Sequence, residues 1–510
     1  MLTKTKAYAL KGLEGQAVEI EVDLTPGVPA MEMVGLPDAV VKESKDRVRS
    51  AIINSGFDYP IKRITINFAP AETKKEGAIF DLPVAIGILS AYDQIPTNCQ
   101  DGYVLLGELS LDGSLRKING LMAILISGLQ NGYKKYIVPK ENQAEASFVD
   151  GIEVYPASNL SEVVNHLSNV SPIPRLETKK FNGKNETSKY GVDFADVKGQ
   201  LKAKRALEIA VAGGHNVLMV GPPGAGKTML AKCVLTIMPD LSFEEAVEVT
   251  KIHSVAGVLD ASQGIVTSRP FRSPHHSITV PALIGGDRRA KPGEVSLAHN
   301  GVLFLDEVPE YGRTVLDSLR QPLEDGVVTI SRVLQTVEYP ACFTLIGSMN
   351  PCPCGNYGSK NKECTCSPSQ IRNYIGRISG PFLDRIDIQI EVDGISFGEF
   401  KDKASGEPSE KIRERVVKVR EIERERFKGS KTRTNSEMTN EDIKKYCEVD
   451  RESQNLLELS FAKLGLSARA GFRILRVART IADLEGSDSI KVEHIAEAIQ
   501  YRSLDKKYWK

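Results

Sequence analysis

The chain has 510 residues and a hydrophobic fraction of 41%, enough for several domains with buried cores, which excludes a disordered or fibrous protein. Lysine plus arginine and aspartate plus glutamate each number 66, so the formal net charge is zero and no global field attracts the molecule to nucleic acid or anionic lipid. Any polyanionic partner must therefore be bound by local patches.

The sequence contains no segment suited to crossing a membrane. Its longest apolar run, residues 78–92, is interrupted by Asp81 and is shorter than the roughly 20 apolar residues that a bilayer requires. The N-terminus has lysines but no apolar run of signal-peptide length. We therefore expect a soluble cytoplasmic protein with no membrane partner. Its 8 cysteines are too few for a disulfide framework, which agrees with a reducing compartment.

The N-terminal third alternates strands and helices, distinguished by an apolar period of two residues or of about 3.6 residues. In chain order we predict a strand–turn–strand unit at 8–24, a helix at 38–56, a strand at 61–70, a helix at 81–92, a strand at 103–113, a helix at 121–132 and a strand at 135–139. These elements indicate a compact α+β domain over residues 1–167.

The remaining chain divides into three parts. Residues 168–190 lose apolar periodicity and gather Pro, Asn, Lys and Ser, which is typical of a linker. Residues 191–392 alternate helices with buried strands, as in a parallel sheet covered on both faces. Residues 393–510 are mostly helical. Within them, 411–428 predicts an exposed helix carrying charges of both signs, and 451–505 predicts a small helical bundle.

The strongest functional signal is a glycine-rich segment between a buried strand and a helix. It matches the pattern GxxxxGK[ST], in which backbone N–H groups wrap phosphate oxygens at a helix N-terminus. Lys227 is expected to reach the β- and γ-phosphates, and Thr228 to offer its hydroxyl to Mg²⁺. The predicted nucleotide-binding residues of the loop are Gly221, Pro222, Pro223, Gly224, Ala225, Gly226, Lys227 and Thr228.

Two later strands end in polar residues that suit ATP hydrolysis. The apolar run at 301–307 ends in Asp306 and Glu307. We expect its strand to lie next to the phosphate-binding loop, so that Asp306 holds the magnesium and Glu307 polarises the attacking water. Asn350 ends the strand at 342–350 and is placed to orient that water from the neighbouring strand.

Several arginines are candidates for stabilising charge on the γ-phosphate. Arg385 lies in an otherwise apolar turn with few uses in its own chain, so it is the first candidate for a finger supplied to a neighbouring subunit, with Arg377 in reserve. Arg469, Arg473 and Arg476 share one face of a predicted helix, and we expect one of them to contact nucleotide. A solvated surface arginine is the alternative for both sets.

These motifs occur in the order found in AAA+ ATPases. Residues 193–228, 269–286, 292–310, 349–355 and 376–388 resemble segments of the ComM/YifB family of magnesium-chelatase-like AAA+ ATPases. The resemblance covers essentially the whole chain. It implies an α/β fold with an AAA+ P-loop NTPase core and a C-terminal helical lid, and it implies ATP and Mg²⁺ as cofactors.

The resemblance also implies roles for individual residues. They are Lys227 and Thr228 as the P-loop (Walker A) pair, Asp306 and Glu307 as the Walker B pair, Asn350 as sensor 1, Arg385 as the arginine finger and Arg469 as sensor 2.

The same AAA+ branch includes the MCM helicases and the chelatase ATPase subunits, and it has an extra β-hairpin before sensor 1. Residues 326–343 give two alternating runs with Arg332 expected at the tip, where it could track a DNA backbone in the pore of a hexamer. The insertion at 257–293 is expected to form a local basic patch for DNA, with subunit packing as the alternative. Its basic residues are Arg269, Arg272, His275, His276, Arg288, Arg289 and Lys291.

The N-terminal domain resembles the Lon-type peptidase domain over residues 74–89, 107–121 and 133–142. That enzyme uses a serine nucleophile activated by a lysine. The matching positions here hold Ile79 and Met122. The resemblance therefore implies a Lon-protease-like α+β fold without the catalytic dyad, retained to bind DNA or neighbouring subunits.

Four cysteines follow the pattern C-x-C-x9-C-x-C, at Cys352, Cys354, Cys364 and Cys366. Four thiolates suit tetrahedral Zn²⁺, and a metal would fix a loop that has no apolar core of its own. Free thiols or redox chemistry are the alternatives. The cysteines at 99, 233, 342 and 447 are expected to be core residues.

Together these features predict a homo-hexameric ATPase that encircles single-stranded or branched DNA and moves along it. The family resemblance implies branch-migration or helicase activity in homologous recombination during natural transformation. Two alternatives stay open: a chelatase-like ATPase that remodels a protein partner, and an ATP-dependent unfoldase or protease.

Overall fold

The computed structural model describes residues 2–72, 75–183, 191–286, 290–332, 335–358, 362–394, 406–464 and 467–509. The chain forms two compact units, and neither is continuous in sequence. The first consists of Met1–Gly183 and Ser242–Thr267, and the second of Lys184–Leu241 and Ser268–Lys510. In the described part of the chain, no helix has the length and apolar character needed to cross a membrane.

The first unit is built on a 7-stranded mixed sheet with the strand order β3-β4-β2-β1-β5-β8-β9. Residues of β2 alternate between buried and partly exposed, so Val18, Ile20, Val22 and Leu24 face the core. A separate short ladder joins β6 and β7. The strands are β1 Leu2–Lys11, β2 Glu14–Thr25, β3 Ala30–Val34, β4 Arg63–Ala69, β5 Tyr103–Leu105, β6 Glu108–Leu109, β7 Leu115–Arg116, β8 Lys135–Pro139 and β9 Glu153–Ala157.

Helices cover this sheet, and the central one is apolar on every face. All residues of the helix Asp81–Ala91 are buried, as expected for a helix without a polar stripe. Its one acid, Asp81, is paired with Arg47, although burial raises the pKa of Asp81 to about 6. The helices of the unit are Ala39–Asn54, Asp81–Ala91, Leu121–Gln130, Gln143–Ala146, Leu160–Leu167 and Phe243–Ala256.

The helix Phe243–Ala256 belongs to the first unit although its sequence interrupts the ATPase segment. Its Ser254 hydroxyl donates to the buried carboxylate of Glu145 at 2.6 Å and accepts the N–H of Gly120 at 2.8 Å. A Cβ on Gly264 would lie 2.3 Å from the backbone of Ala144. The observed units therefore differ from the expected division, which placed residues 191–392 in one core.

The segment expected to be a linker also differs from expectation over its first half. The N–H of Leu176 donates to the carbonyl oxygen of Val154 at 2.8 Å, and the N–H of Lys179 donates to that of Ser147, also at 2.8 Å. Because Val154 lies in β9, an edge strand, residues near 176 cover that edge. Residues 168–183 thus belong to the first unit.

The second unit contains a 5-stranded parallel sheet with the order β11-β12-β15-β10-β16. An antiparallel hairpin of β13 and β14 stands apart from it, and this confirms the hairpin expected before sensor 1. The strands are β10 Val217–Val220, β11 Phe271–Arg272, β12 Val302–Leu305, β13 Val327–Arg332, β14 Gln335–Pro340, β15 Thr344–Met349 and β16 Ile388–Glu391.

Helices enclose this sheet and continue into the C-terminal region, which shares one hydrophobic core with it. They are Leu201–Gly213, Lys227–Ile237, Val280–Ile284, Glu294–Leu297, Arg313–Ser318, Arg320–Asp325, Pro368–Ile375, Gly380–Leu383, Ser409–Arg426, Asn440–Tyr446, Arg451–Leu464, Ala468–Leu484, Val492–Gln500 and Leu504–Tyr508.

The charged helix Ser409–Arg426 is not an exposed helix, so that expectation is wrong. Ile412, Val416 and Val419 are buried in the core of the second unit. They recur at helical spacing and form a narrow apolar stripe between the charged faces. The helix thereby packs against Leu201–Gly213 and the P-loop helix Lys227–Ile237, and it fixes the lid region to the nucleotide-binding part of the unit.

Candidate active site

The phosphate-binding loop joins β10 to the helix Lys227–Ile237. Gly224 and Gly226 have φ angles of +78° and +85°, a conformation that glycine adopts without strain. Gly221 is needed for another reason, because a Cβ there would lie 2.2 Å from the carbonyl oxygen of Val392. The loop therefore presents the N-terminus of a helix, which is a binding feature for phosphate oxygens.

Lys227 is held inside this loop by three oxygen acceptors. Its Nζ donates to the carbonyl oxygens of Gly221 and Pro222 at 2.7 and 3.0 Å and to Oδ1 of Asn350 at 3.1 Å. Burial lowers the pKa of Lys227, and the two carboxylates that follow β12 oppose that effect. The structure thus brings the predicted P-loop lysine and the predicted sensor 1 residue together.

The strand order corrects one expectation about this site. β15 lies between β10 and β12, so the strand that ends in Asp306 is not next to the P-loop strand, and that prediction is wrong. The strands are nevertheless parallel and in register, with Val220 opposite Met349 and Leu305 opposite Gly347. Their carboxyl ends therefore meet at one edge of the sheet, where open α/β sheets bind ligands.

Asp306 has hydrogen-bond partners on both sides. Its Oδ2 accepts the hydroxyl of Thr228 at 3.3 Å, and its Oδ1 accepts the N–H of Glu307 at 3.1 Å and the hydroxyl of Ser348. Ser348 is completely buried. A hydroxyl and a carboxylate side by side at the P-loop are the oxygen ligands that Mg²⁺ prefers. The residues present therefore fit a magnesium ion bound with the nucleotide.

Glu307 follows directly and has an unusual backbone. Its φ is +53°, which is unfavourable for a residue with a Cβ, and strain of this kind is concentrated at functional sites. The side chain is exposed. Within the described ranges, its carboxylate has no hydrogen-bond or ion-pair partner, so it is available to polarise a water molecule.

Arg385 is engaged within its own chain, contrary to the expectation that it has few uses there. Its guanidinium forms an ion pair with Glu324, and its side chain is 11% exposed. Its Nε is buried without a hydrogen-bond partner. Arg377, the reserve candidate, is half-exposed and donates to Glu310 at 2.8 Å. Each of these arginines thus has one acidic partner within its own chain.

The three arginines of the helix Ala468–Leu484 differ in burial and in hydrogen bonding. Arg473 is buried and donates to the carbonyl oxygen of Ile386 at 3.2 Å, and Arg476 donates to that of Ser436 at 3.0 Å. Burial lowers the pKa of both guanidinium groups. Arg469 is exposed and has no hydrogen-bond or ion-pair partner among the residues that the structure describes. Of the three, Arg469 is the one not used by the fold.

The predicted DNA contacts are described only in part. Arg288 and Arg289 lie outside the described residues, and the described side chains do not include that of Arg332 at the end of β13. Lys291 is half-buried.

Two other basic residues predicted for the same patch are structural, so that prediction is wrong for them. Arg272 forms a bidentate pair with Glu294, with both contacts at 2.6 Å. Arg269 donates to the carbonyl oxygens of Pro239 at 2.6 Å and of Asn300 at 2.7 Å. Their guanidinium groups form hydrogen bonds within the chain, because the carbonyl groups and the carboxylate of the surrounding loops need donors.

The four clustered cysteines converge. The Sγ of Cys352 lies 3.4 Å from that of Cys354 and 3.7 Å from that of Cys364, and the latter two are 3.6 Å apart. All four Sγ atoms, including that of Cys366, lie within 4.8 Å of one another. Tetrahedral Zn²⁺ with Zn–S bonds of about 2.3 Å separates its sulfurs by roughly 3.8 Å. The donor set and its spacing therefore fit a zinc ion. We call residues 352–366 the cysteine clip.

In the first unit, the positions that match the Lon dyad are apolar. Met122 is fully buried, and Ile79 packs against the same hydrophobic cluster. The N–H of Met122 donates to the buried carboxylate of Glu145 at 2.9 Å. Neither Ile79 nor Met122 carries a nucleophilic or basic group, so these positions provide no serine–lysine pair.

Sequence reasoning missed two residues of the site, Ser348 and Tyr374. Ser348 lies two residues before Asn350 in the strand predicted at 342–350, so strand parity predicts the same face for both, and this was the available signal. Tyr374 is buried close to Asn350, and burial raises the pKa of Tyr374 to about 12. No local motif indicated Tyr374, because it comes from a helix beyond the cysteine clip.

Comparison with known families gives matches over most of the chain. Residues 193–400 match the family described as "Magnesium chelatase, subunit ChlI", residues 406–502 its C-terminal region, and residues 20–142 "Subunit ChlI of Mg-chelatase".

Curated relatives match along nearly the whole chain. The "Competence protein ComM" of Haemophilus influenzae is 45% identical over 500 residues, which cover 97% of this chain and 96% of that protein. The "Uncharacterized protein YifB" of Escherichia coli is 43% identical, covering 98% and 96% respectively. A Lon protease of Rhizobium meliloti is 29% identical over 164 residues, or 30% of this chain.

The contrast among the lid arginines gives a testable prediction. Arg473→Ala should destabilise the second unit by about 2–4 kcal/mol, because it removes a buried guanidinium group and leaves the buried carboxylate of Asp387, 3.8 Å away, without that ion-pair partner. Arg469→Ala should change stability by less than about 0.5 kcal/mol while lowering ATP turnover. Trp509 is the chain's single tryptophan, so its fluorescence during urea unfolding measures the stability of this unit. Equal destabilisation by the two variants would contradict the distinction.

Proposed function

This chain belongs to the ComM/YifB family of magnesium-chelatase-like AAA+ ATPases, and on that basis we propose that it is an ATP-hydrolysing ring motor that acts on DNA. Family membership implies ATP as substrate and Mg²⁺ as cofactor. The observation that carries the ATPase proposal is the convergence of Lys227, Thr228, Asp306 and Asn350 at one edge of a parallel sheet.

In the proposed reaction the loop and its lysine bind the phosphates of ATP. Thr228 and Asp306 would hold the Mg²⁺, which neutralises charge on the phosphate oxygens when bound. Glu307 accepts a proton from the attacking water, the water oxygen bonds to the γ-phosphorus, and the bond to ADP breaks. Asn350 orients this water, because its amide is fixed beside Lys227 at 3.1 Å.

Arg385 is the proposed finger for the neighbouring subunit. Its present partner Glu324 is 59% exposed, so that ion pair is solvated and of low strength. A γ-phosphate offered by the adjacent subunit would compete with it, and an arginine supplied in this way is worth about 10³ to 10⁵ in rate. Arg469 is the proposed sensor 2.

DNA is the proposed track, in single-stranded or branched form, and the proposed activity is branch migration or helicase action in homologous recombination during natural transformation. Two observations support it. The relative that is 45% identical is named a competence protein, and the antiparallel ladder of β13 and β14 has Arg332, a residue whose charge suits a phosphate backbone, in its last pair opposite Gln335. Arg288, Arg289 and Lys291 are further proposed contacts, and a homo-hexamer is the proposed assembly.

A second candidate function is chelatase-like remodelling of a protein partner. It is favoured by the match of residues 193–400 and 406–502 to the magnesium chelatase subunit family. An unfoldase is a further alternative, supported by the partial similarity to Lon protease. Proteolysis is disfavoured because Ile79 and Met122 occupy the positions of the dyad. DNA dependence of turnover separates the motor from these alternatives.

The first experiment measures steady-state ATP turnover of the pure protein, alone and with single-stranded, duplex and branched DNA. We expect stimulation by single-stranded or branched DNA and no turnover by Lys227→Ala, since that substitution removes the phosphate-binding ammonium. Glu307→Gln should bind ATP and lose at least about 10²-fold in turnover. Turnover that is indifferent to every DNA would favour the chelatase-like function instead.

A mixing experiment tests whether Arg385 acts across subunits. Lys227→Ala and Arg385→Ala should each be inactive alone, because each lacks one half of every site. In randomly mixed rings about one quarter of the interfaces combine an intact P-loop with an intact finger, so activity should return on mixing. Arg377→Ala is the matched control, and it should retain activity unmixed. No recovery on mixing would place the essential role of Arg385 within its own chain.

We also propose that the cysteine clip binds structural Zn²⁺ through Cys352, Cys354, Cys364 and Cys366. The sulfur spacing supports this. The backbone adds to it, because the N–H groups of Cys354 and Tyr357 point at sulfurs, at 3.4 and 3.3 Å. Backbone N–H groups directed at a sulfur stabilise its thiolate form.

Metal analysis of the purified protein is expected to give close to one zinc per chain. Cys364→Ser should lower the content strongly because three thiolates remain, whereas Cys447→Ser, a buried cysteine outside the clip, should leave it unchanged. Fewer than about 0.2 zinc per wild-type chain would refute the site.

A further inference from the structure

The cysteine clip touches the phosphate-binding loop directly. Gly355 is buried, and a Cβ built on it would lie 2.4 Å from Cδ and 2.8 Å from Cγ of Pro223, the third residue of the P-loop. The backbone of Gly355 therefore packs flat on the pyrrolidine ring. Because no side chain fits between the two, this contact is a close packing of backbone against the loop.

The clip is also joined through the chain to a residue that contacts the same loop. Cys352 follows Asn350 by two residues. The amide oxygen of Asn350 accepts a hydrogen bond from the Lys227 ammonium at 3.1 Å. The N–H of Gly355 donates to the carbonyl oxygen of Cys352 at 2.9 Å. One tight turn therefore connects the contact on Pro223 with the residue that binds Lys227. Residues 350–355 therefore contact the P-loop at both Pro223 and Lys227.

The order of this turn depends on the sulfur cluster. Gly, Asn, Ser, Lys and Pro dominate the clip, so it has little apolar surface with which to hold a fixed conformation. Cys352 and Cys354 belong to the turn itself, whereas Cys364 approaches from the far end of the clip at 3.7 and 3.6 Å. Joining these sulfurs would hold the turn that carries Gly355.

We propose that the cysteine clip is a wall of the nucleotide site: when metal joins its sulfurs, Gly355 supports Pro223 and holds the P-loop in its nucleotide-binding conformation. The inference rests on the proposed zinc site and goes beyond it, because it assigns the metal a role in nucleotide affinity. A loop already held in its bound shape loses less conformational entropy on binding. Filling the clip therefore strengthens nucleotide binding.

A matched pair of glycines tests the wall. Gly355 and Gly358 have nearly equal φ angles, +78° and +76°, so alanine is equally strained at both positions. They differ in surroundings, because a Cβ on Gly358 meets nothing within 4 Å. We expect Gly355→Ala to raise the Kd for a fluorescent ADP analogue at least about tenfold, and Gly358→Ala to change it less than about twofold. Equal affinities for the two variants would overturn the proposal.

A double variant guards against a general folding defect. Pro223→Ala removes the Cγ and Cδ atoms that a new Cβ at position 355 would meet. Gly355→Ala combined with Pro223→Ala should therefore bind the ADP analogue more tightly than Gly355→Ala alone, which is a coupling between contacting residues. Additive effects of the two substitutions would contradict a direct contact.

Metal is tested on the same samples without an activity assay. Chelator-treated wild-type protein should lose zinc, bind the ADP analogue about tenfold more weakly, and recover on adding Zn²⁺. Its Trp509 emission should shift in parallel, because the ring of Tyr508, 5.8 Å from that of Trp509, also contacts Tyr357 of the clip. Unchanged affinity in protein shown to be metal-free would overturn the metal role. Absence of zinc from untreated wild type would instead refute the zinc site itself.

Discussion

The nucleotide site depends on the position of β15 between the P-loop strand and the strand that ends in Asp306. Asn350, directly after β15, accepts a hydrogen bond from the ammonium of Lys227, and Ser348, near the end of β15, donates one to Asp306. Both residues are therefore positioned by the end of the same strand. The spacing between the phosphate-binding lysine and the proposed metal-binding carboxylate is therefore set by a single buried element, and a shift of β15 along its axis would disturb both groups together.

Buried charges extend this constraint to the lid. Asp387, at the start of β16, lies 3.5 Å from His215 and 3.8 Å from Arg473 of the helix Ala468–Leu484. Although burial alone would raise its pKa, the neighbouring imidazole of His215 and the guanidinium groups of Arg473 and Arg476 lower the pKa of Asp387 to about 2. The carboxylate thus joins the core to the lid helix two residues after Arg385. This ion pair therefore connects the segment that contains Arg385, the proposed finger, with the helix that contains Arg469, the proposed sensor 2.

The sequence predicts the local parts of this site because their signals are local. The loop Gly221–Thr228 needs only its own glycines and the adjacent helix, and the hairpin at 327–340 needs only alternation. Strand order is different, because parallel strands are joined by long connections and nothing in the residues near Asp306 reports which strand is its neighbour. For the same reason the sequence does not predict that the helix Phe243–Ala256 belongs to the first unit. Its Ser254 hydrogen-bonds to Glu145, which lies more than 100 residues earlier in the chain. The sequence did not predict that the helix Ser409–Arg426 is partly buried, because its apolar stripe has only three residues and most of the other residues are charged.

Glycines show how the loop acquires its shape from two sources. Gly224 and Gly226 have positive φ and no heavy atom within 4 Å of a built Cβ, so they are required by the backbone conformation alone. Gly221 faces the carbonyl oxygen of Val392, directly after β16, at 2.2 Å, so it is required by packing. Gly355 faces a proline ring at 2.4 Å and also has a φ of +78°, so both packing and backbone conformation require glycine there. The packing requirement at these two positions holds only while the neighbouring segments stay in place. The conformation of the P-loop is therefore partly intrinsic and partly imposed by β16 and by the cysteine clip, and only the imposed part can respond to what the clip binds.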